Sequence, residues 1–252
     1  MTDSTLAVRP TSRSDVAARH GISYRIARTP AELEAVYRLR YEAYRREGTI
    51  EAIDSQRFTD RYDQDPNMMI LNVLWHNEIA GTLRIHIIDA DAPHGPGLDT
   101  YRDVLEPFLD AGETIIDSSR FVTNPALRTD VPNLHFEVLR LAGVTCDHFG
   151  VDWLLASVRR EHAPFYRRYF SLNPLTEPRP YPGLKADLIL MGERYPDVCP
   201  QIRAKYPVFR AEPEEGIALF GPSRRLDRLV PNDNQTAERT SAAKPLLAAI
   251  GA

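Results

Sequence analysis

Asp117, Ser119 and Arg120 lie almost side by side in a stretch that otherwise consists mainly of strong β-formers. Residues 114–122 therefore predict an interior strand. Unpaired charges in such a strand would cost several kcal/mol each, so these side chains need partners or a chemical purpose. A carboxylate can take a proton from an amine, and a guanidinium can hold a carboxylate by two hydrogen bonds. The stretch indicates acid–base chemistry close to an anion-binding group.

Side chains along a strand point alternately to its two faces. Asp117 and Ser119 are therefore expected on one face, and Ser118 and Arg120 on the other. We interpret Asp117 as the candidate base, with Ser119 beside it in the same site.

Further charges occur where an apolar core is expected. Arg40 falls in the apolar stripe of a helix that begins with a capping box at residues 29–32, and Arg84 falls in a predicted strand. Asp60 and Asp63 follow this helix in a polar loop. We favour an ion network for Arg40, Asp60 and Asp63; the alternative for Arg40 is a position at the edge of the stripe, from which it reaches water. The charges of the central strand could belong to the same network and catalyse nothing.

Hydrophobic periodicity predicts a mixed α/β order, β-α-β-β-(α)-β-α-β-α-β. The predicted strands cover residues 22–27, 68–75, 79–89, 114–122, 151–158 and 185–191, and the predicted helices cover 29–48, 101–109, 133–149, 161–170 and 194–206. A hairpin between the second and third strands excludes a purely parallel, doubly wound sheet. We expect a flexible N-terminal tail (1–21), one domain (22–210) and a C-terminal tail (211–252).

Composition excludes several classes of function. A net charge of −4 argues against nucleic acid as the main partner. Two cysteines and seven histidines without ligand spacing predict neither a disulfide framework nor a metal site. The sequence has no membrane span and no secretory h-region, and it fits a reducing cytoplasm.

The predicted order of elements resembles the GCN5-related N-acetyltransferase superfamily over residues 22–210, including a late helix with Phe165-Tyr166. Four motifs occur in the order and approximate spacing of acyl-homoserine-lactone synthases: Arg40 with Tyr44, Asp60-x-x-Asp63, Gly81-x-x-Arg84, and Asp117-x-Ser119-Arg120-Phe121. The chain resembles long-chain N-acyl amino acid synthases at least as closely, through Arg160-Glu161-His162-x-x-Phe165-Tyr166-x-Arg168 and Pro180-Tyr181-Pro182-Gly183. The resemblance implies a mixed, mostly antiparallel central sheet flanked by helices, and transfer of a fatty acyl group from acyl carrier protein to an amine.

Two positions depart from the lactone synthases. Their acid at the position of Asp117 is usually Glu, and they carry Trp where this chain has Ile50. Both differences make homoserine-lactone chemistry less expected, and neither argues against amide formation.

The loop at residues 124–132 bears on the donor. Enzymes of this fold that use free coenzyme A normally hold its pyrophosphate on a Gly-rich loop, whereas this loop has no Gly and two Pro. We therefore expect an acyl-phosphopantetheine thioester on acyl carrier protein as the donor, with no tightly bound cofactor. The residues that would suit docking of an acidic carrier are Arg159, Arg160, Arg167 and Arg168.

The resemblance and the residue types together give each candidate a role. Asp117 and Ser119 are the catalytic candidates, and Glu161 and His162 form a second acid–base pair. The expected substrate-binding residues are Arg40, Tyr44, Arg84, Arg120, Phe121, Val122, Thr123, Phe165 and Tyr166. Arg84 or Arg120 would hold the acceptor's carboxylate, and backbone N–H groups near residues 121–123 would stabilise the oxyanion.

The main expectation is an N-acyltransferase that joins a fatty acyl chain to an amino acid. One alternative is an acyl-homoserine-lactone synthase that uses S-adenosylmethionine. Another is a non-catalytic module that binds acyl groups or carrier protein.

Overall fold

A computed structural model describes residues 21–127 and 129–223. An eight-stranded sheet forms its centre, in the order β1-β2-β3-β4-β5-β8-β6, with β7 pairing separately along β8. The strands are β1 (Ile22–Ile26), β2 (Met68–Trp75), β3 (Glu78–Ile88), β4 (Ile115–Thr123), β5 (Trp153–Val158), β6 (Asn173–Pro174), β7 (Arg179–Pro180) and β8 (Asp187–Arg194). Within the part of the chain that the structure describes, only β4 and β5 pair in parallel. The predicted mixed, mostly antiparallel sheet is confirmed.

Six α-helices of the described residues flank the sheet: α1 (Pro30–Arg46), α2 (Pro96–Asp110), α3 (Leu134–Phe149), α4 (Ala163–Phe170), α5 (Tyr195–Lys205) and α6 (Pro213–Phe220). The predicted capping box begins α1, because Thr29 Oγ1 accepts from Glu32 N–H and Glu32 Oε2 accepts from Thr29 N–H. Gly150, in a left-handed conformation with φ 68°, ends α3 as expected.

The two faces of the sheet carry different cores. On one face α3 packs against an apolar cluster that includes Leu83, Ile85, Ile116 and Leu154. The opposite face packs α2 against Ile88 and Ile115, and α1 against Ile70. Polar side chains of β3 and β4 lie on this second face, under α1 and α2.

Two predicted boundaries are wrong. The helix predicted at residues 101–109 begins earlier, since α2 starts at Pro96 and includes the buried Gly97. The C-terminal tail was expected from residue 211, but residues 213–220 form α6, which packs on α3 through Phe220, His148 and Phe149. An aromatic residue at the end of so short a helix gives no clear periodic signal. The tails at residues 1–20 and 224–252 lie outside the described residues.

None of the helices among the residues described is long and apolar enough to cross a bilayer.

Candidate active site

The parallel pairing of β4 with β5 ends halfway along β4. Ile115 to Ser118 pair with Trp153 to Ala156, and the remaining five residues of β4 have no partner on that side. The two strands separate there and open a cavity of about 720 Å³ between the sheet, α3 and α5. In an antiparallel pair, only every second residue of β4 turns its backbone N–H and C=O groups towards β3. The backbone groups of the intervening residues of β4 point towards this opening.

Many of the predicted site residues line this cavity. They are Tyr44, Ser119, Arg120, Phe121, Val122, Thr123, Arg159, His162, Phe165 and Tyr166. The cavity lining does not include Asp117, Glu161, Arg40, Arg84, Arg160, Arg167 or Arg168. The structure therefore brings the β4 end, the α1 face and the α4 aromatics together, and it places the predicted base elsewhere.

A β-bulge in β4 changes the predicted alternation. Thr82 pairs with Val122 and Arg84 with Ser119, so Arg120 and Phe121 together lie opposite Leu83. Arg120 adopts the left-handed region with φ 54°. Its side chain consequently points to the same face as that of Ser119, not to the opposite face as predicted.

On this face three arginines and two aspartates form a buried ion cluster. Arg40 Nη1 lies 2.8 Å from Asp63 Oδ1, and Arg84 Nη1 lies 3.0 Å from the same oxygen. Arg84 also contacts Asp60 Oδ1 at 2.5 Å, and Arg120 pairs with Asp60 Oδ2. The predicted network is thus present, and the edge position considered for Arg40 is wrong, because its side chain has no exposed surface.

Electrostatic coupling keeps both carboxylates of this ion cluster ionised. Burial tends to raise the pKa of Asp60, but the guanidiniums of Arg84 and Arg120 outweigh it and hold the pKa well below its usual range. The pKa of Asp63 is lowered in the same way by Arg40 and Arg84. With all five groups charged, the cluster carries one more positive than negative charge. Arg120 is the arginine of the cluster that also lines the cavity.

Ser119 and Tyr44 complete the polar wall around Arg120. Ser119 Oγ accepts from Arg84 Nε at 3.0 Å. The Arg120 guanidinium lies over the rings of Phe58, at 4.3 Å, and Tyr44, at 5.6 Å. These contacts hold the guanidinium in place at the edge of the cavity.

Asp117 lies behind this wall, beneath the start of α2. Its Oδ2 accepts from Gly97 N–H at 2.7 Å, and its side chain is fully buried. A Cβ at Gly97 would stand 2.7 Å from Oδ2, so only glycine fits there. Burial raises the pKa of Asp117, although His86, the Gly97 N–H and Arg84 oppose that rise. The carboxylate therefore anchors α2 to β4 and has no surface in the cavity.

Aromatic side chains of α4, namely Phe165, Tyr166 and Phe170, form the opposite wall, and Phe136 of α3 packs against Phe165. The rings of Phe165 and Phe136 stack with centroids 6.0 Å apart, and Tyr169 and Phe170 pack beside Phe165. Burial raises the pKa of Tyr166, so its hydroxyl remains protonated at neutral pH.

Charged residues surround the mouth of the cavity. His162 Nε2 lies 3.2 Å from Arg159 Nη2, and Arg159 Nε lies 3.2 Å from Glu161 Oε1. Arg160 pairs with Glu177 at 2.9 Å, and both side chains are largely exposed. Glu161 and His162 are thus exposed residues at the rim, and of the two only His162 lines the cavity.

Sequence reasoning missed several lining residues, among them Glu47, Ser118, Gly143, Ser157 and Tyr181. Glu47 follows Tyr44 by three residues on α1, so the helical period could have placed both on one side. Tyr181 belongs to the motif Pro180-Tyr181-Pro182-Gly183 and lies buried beside the ion cluster. Gly143 gave no signal, because a lone glycine in a helix carries no direction.

Comparisons with known proteins converge on one fold. A profile of the family described as N-acyl amino acid synthase FeeM matches residues 35–193. The structure of FeeM, an N-acyl amino acid synthase from uncultured soil microbes, superimposes with a TM-score of 0.60 at 19% identity, covering 71% of this chain and 94% of that one. The coenzyme A-dependent acyl-homoserine lactone synthase BjaI gives a TM-score of 0.54 at 16% identity, covering 85% and 100%. MesI, a second coenzyme A-dependent acyl-homoserine lactone synthase, gives a TM-score of 0.51 at 18% identity, covering 75% of this chain and 97% of that one. A search of curated protein sequences gives no significant match.

Proposed function

Because this chain belongs to the N-acyl amino acid synthase FeeM family, and is therefore an acyltransferase, we propose that it joins a fatty acyl group to the amino group of an amino acid. One observation carries this proposal. A single cavity has a guanidinium in its wall at Arg120 and an apolar lining that continues past Leu139, Ala142 and Ile202. The guanidinium would bind the carboxylate of an amino acid, and the apolar lining would hold an acyl chain.

The ion cluster supports binding of the acceptor's carboxylate at Arg120. The cluster has three arginines and two aspartates, so one positive charge is not neutralised. Arg120 is the arginine of the cluster that lines the cavity and can offer this charge to a ligand. A carboxylate placed there completes the charge balance without further burial of an unpaired ion. The amine of the same molecule then points into the cavity.

The reaction forms an amide bond at the expense of a thioester bond. The amine nitrogen attacks the thioester carbonyl, the carbon–sulfur bond breaks, and the thiol leaves with a proton. Backbone N–H groups of β4 that face the opening between β4 and β5 would stabilise the oxyanion. The protonated hydroxyl of Tyr166, which lines the cavity, can donate to the leaving sulfur.

A base must take one proton from the ammonium form of the acceptor. It has to lie within hydrogen-bond reach or one water away. Asp117 has no surface in the cavity, so its placement does not support direct proton transfer, and we assign it a positioning role beneath α2. His162, which lines the cavity, is the predicted catalytic residue that we retain as the base.

The mouth of the cavity bears on the nature of the donor. The first turn of α3, where a pyrophosphate would sit, is already partly bonded: Leu134 N–H donates to Val131 O and Phe136 N–H to Asn133 O. Arg167 and Arg168 are exposed on the neighbouring α4. Both features favour acyl carrier protein over free coenzyme A as the carrier of the acyl group.

The direct test is mass spectrometry of the products. Purified protein is incubated with acyl-carrier-protein thioesters or acyl-coenzyme A in separate reactions, each with the common amino acids and S-adenosylmethionine. We expect an N-acyl amino acid, formed more efficiently from the carrier protein. An acyl lactone would replace this proposal with the lactone-synthase alternative, and equal efficiency with coenzyme A would remove the carrier-protein donor.

The role of Arg120 has its own test. Arg120→Lys keeps the charge that pairs with Asp60 but loses the planar fork that holds a carboxylate. We expect KM for the amino acid to rise about tenfold, in line with the loss of one charge-assisted hydrogen bond, with a smaller effect on kcat. The matched control is the amino acid amide, which lacks the carboxylate. If the variant affects the amide as strongly as the acid, Arg120 does not bind the carboxylate.

A further inference from the structure

Gly143 lies in the interior of α3, where glycine is unfavourable. Relative to alanine it costs about 0.5–1 kcal/mol in such a position, because the unfolded chain has more freedom to lose. The backbone here is ordinary right-handed helix, since Gly143 is not among the residues with positive φ. Backbone conformation therefore does not require glycine.

Close packing does not require it either. Apart from its chain neighbours and its own helix backbone, a Cβ built on Gly143 would meet one atom of the described residues within 4 Å, the hydroxyl oxygen of Tyr195, at 3.4 Å. By contrast, a Cβ on Gly81 would lie 2.3 Å from Val138, and one on Gly192 would lie 2.4 Å from Leu155. These two glycines are fixed by their neighbours, whereas a Cβ on Gly143 would meet Tyr195 only at ordinary van der Waals distance.

Gly143 belongs to the part of the cavity between α3 and α5, which we call its inner end. Along α3 the lining runs from Asn133 to Gly143, which is about 15 Å at the helical rise of 1.5 Å per residue. Around Gly143 the walls come from Leu139 and Ala142 on α3 and from Cys199 and Ile202 on α5. The reactive end, at Arg120 and the separation of β4 from β5, adjoins the N-terminal part of α3.

A bonded polar group fixes the wall beside Gly143. The Tyr195 hydroxyl lies 3.1 Å from both Gly143 O and Asp147 Oδ1, and Arg203 Nη2 donates to it at 2.8 Å. Arg203 also pairs with Asp147. With its hydroxyl bonded on several sides, Tyr195 cannot easily move aside to make room for a larger residue at position 143.

We propose that Gly143 sets the upper length of the acyl chain that the enzyme accepts, by leaving room for the last methylene groups at the inner end of the cavity. This inference rests on the proposed function, because it takes the occupant of the cavity to be a fatty acyl group. A side chain at position 143 would occupy the same space and favour shorter chains.

The test measures chain-length preference by binding and by turnover. Displacement of a fluorescent fatty acid by the saturated series from octanoate to stearate gives affinities without catalysis. In Gly143→Leu we expect the longest chain accepted by the wild type to bind on the order of a hundredfold more weakly, at about 0.8 kcal/mol per displaced methylene, and octanoate to bind unchanged. Gly143→Ala adds one carbon, fits without a clash, and should weaken the longest chain by roughly fourfold.

Ala204→Leu is the matched control, since it adds similar apolar bulk at an exposed position of α5 outside the cavity lining. It should leave the length profile unchanged. An unchanged profile in Gly143→Ala and Gly143→Leu would overturn the inference, and so would failure of the wild type to bind any fatty acid. A shifted binding profile without any amide product would keep this inference and remove the proposed amino acid acceptor.

Discussion

The two faces of β3 and β4 are built from alternate residues of the same strands, yet different forces hold them. Leu83, Ile85 and Ile116 pack under α3 in an apolar core. On the other face, Arg84 and Asp117 lie under α1 and α2 among fixed ionic and hydrogen-bonded partners. The apolar face depends on filled volume, and the polar face depends on ion pairs and hydrogen bonds between its charged side chains. The cavity opens beside the bulge at Arg120, and residues from both faces of the sheet line it.

Loss of one charge on the polar face should have the largest effect. Arg84→Met removes the guanidinium that contacts both the buried Asp63 and the half-buried Asp60, so each carboxylate loses one of its arginine partners, and we expect the free energy of unfolding to fall by about 3–5 kcal/mol. Urea denaturation measures the change. The control is Arg160→Met, an exposed arginine whose loss should cost less than about 0.5 kcal/mol. Equal effects of the two variants would show that burial of the ion cluster contributes nothing.

A cavity on the apolar face should cost slightly less. Ile116→Ala removes a fully buried side chain, and about 3 kcal/mol of stability should be lost through transfer and cavity terms. The loss should not change with pH or salt concentration, because no charge contacts this side chain in the apolar core. A strong pH dependence of the loss would contradict the separation of the two faces.

The carboxylates of the polar face should respond to pH in opposite directions. Asp63 has a lowered pKa, so its stabilising contribution is present above the ordinary pKa of about 3.9 and disappears as pH falls below it. Asp117 has a raised pKa, so its contribution to stability is complete below the ordinary pKa of about 3.9 and is lost as pH rises through the raised pKa. Asp117→Asn should therefore gain stability relative to the wild type with rising pH, whereas the deficit of Asp63→Asn should shrink in acid.

Urea titrations across an acidic-to-neutral pH series, together with turnover at neutral pH, decide this prediction. Asp117→Asn retains an oxygen that can accept from Gly97 N–H, so its turnover should change much less than that of His162→Gln. If Asp117→Asn abolishes turnover while the folded protein keeps its stability, Asp117 acts as more than an anchor.

The exposed arginines near the cavity mouth should have the smallest effect on stability and a selective effect on the donor. Arg167→Gln with Arg168→Gln should change unfolding free energy by less than about 0.5 kcal/mol. It should raise KM for an acyl-carrier-protein donor, and this difference from the wild type should narrow as salt increases. KM for acyl-coenzyme A is the matched comparison, and an equal rise for both donors would exclude docking by these arginines.

The sequence predicts the fold and the ion cluster well, for identifiable reasons. The capping box and Gly150 mark helix ends by local chemistry, and Arg40 in an apolar stripe requires a carboxylate wherever the chain can supply one. The sequence does not reveal the bulge. Arginine has no preference for positive φ, and this conformation of Arg120 results from the pairing of β4 with β3. The early start of α2 is hidden for a similar reason: Pro96 and Gly97 have the composition of a loop. Without those two features, the sequence predicts one site for Asp117 and Ser119, whereas in the structure Ser119 lines the cavity and Asp117 does not.

The contact between Gly97 and Asp117 also limits how this protein can diverge. With only 2.7 Å between a Cβ at position 97 and the carboxylate oxygen, neither position can acquire bulk alone. A larger residue at 97 becomes acceptable only after position 117 has lost the oxygen that stands there, and that first step removes the acceptor of the Gly97 N–H. Substitutions that add bulk at either position are therefore expected in pairs, whereas Asp117→Asn, which keeps its size and an acceptor oxygen, can occur alone; random mutagenesis should recover that pattern.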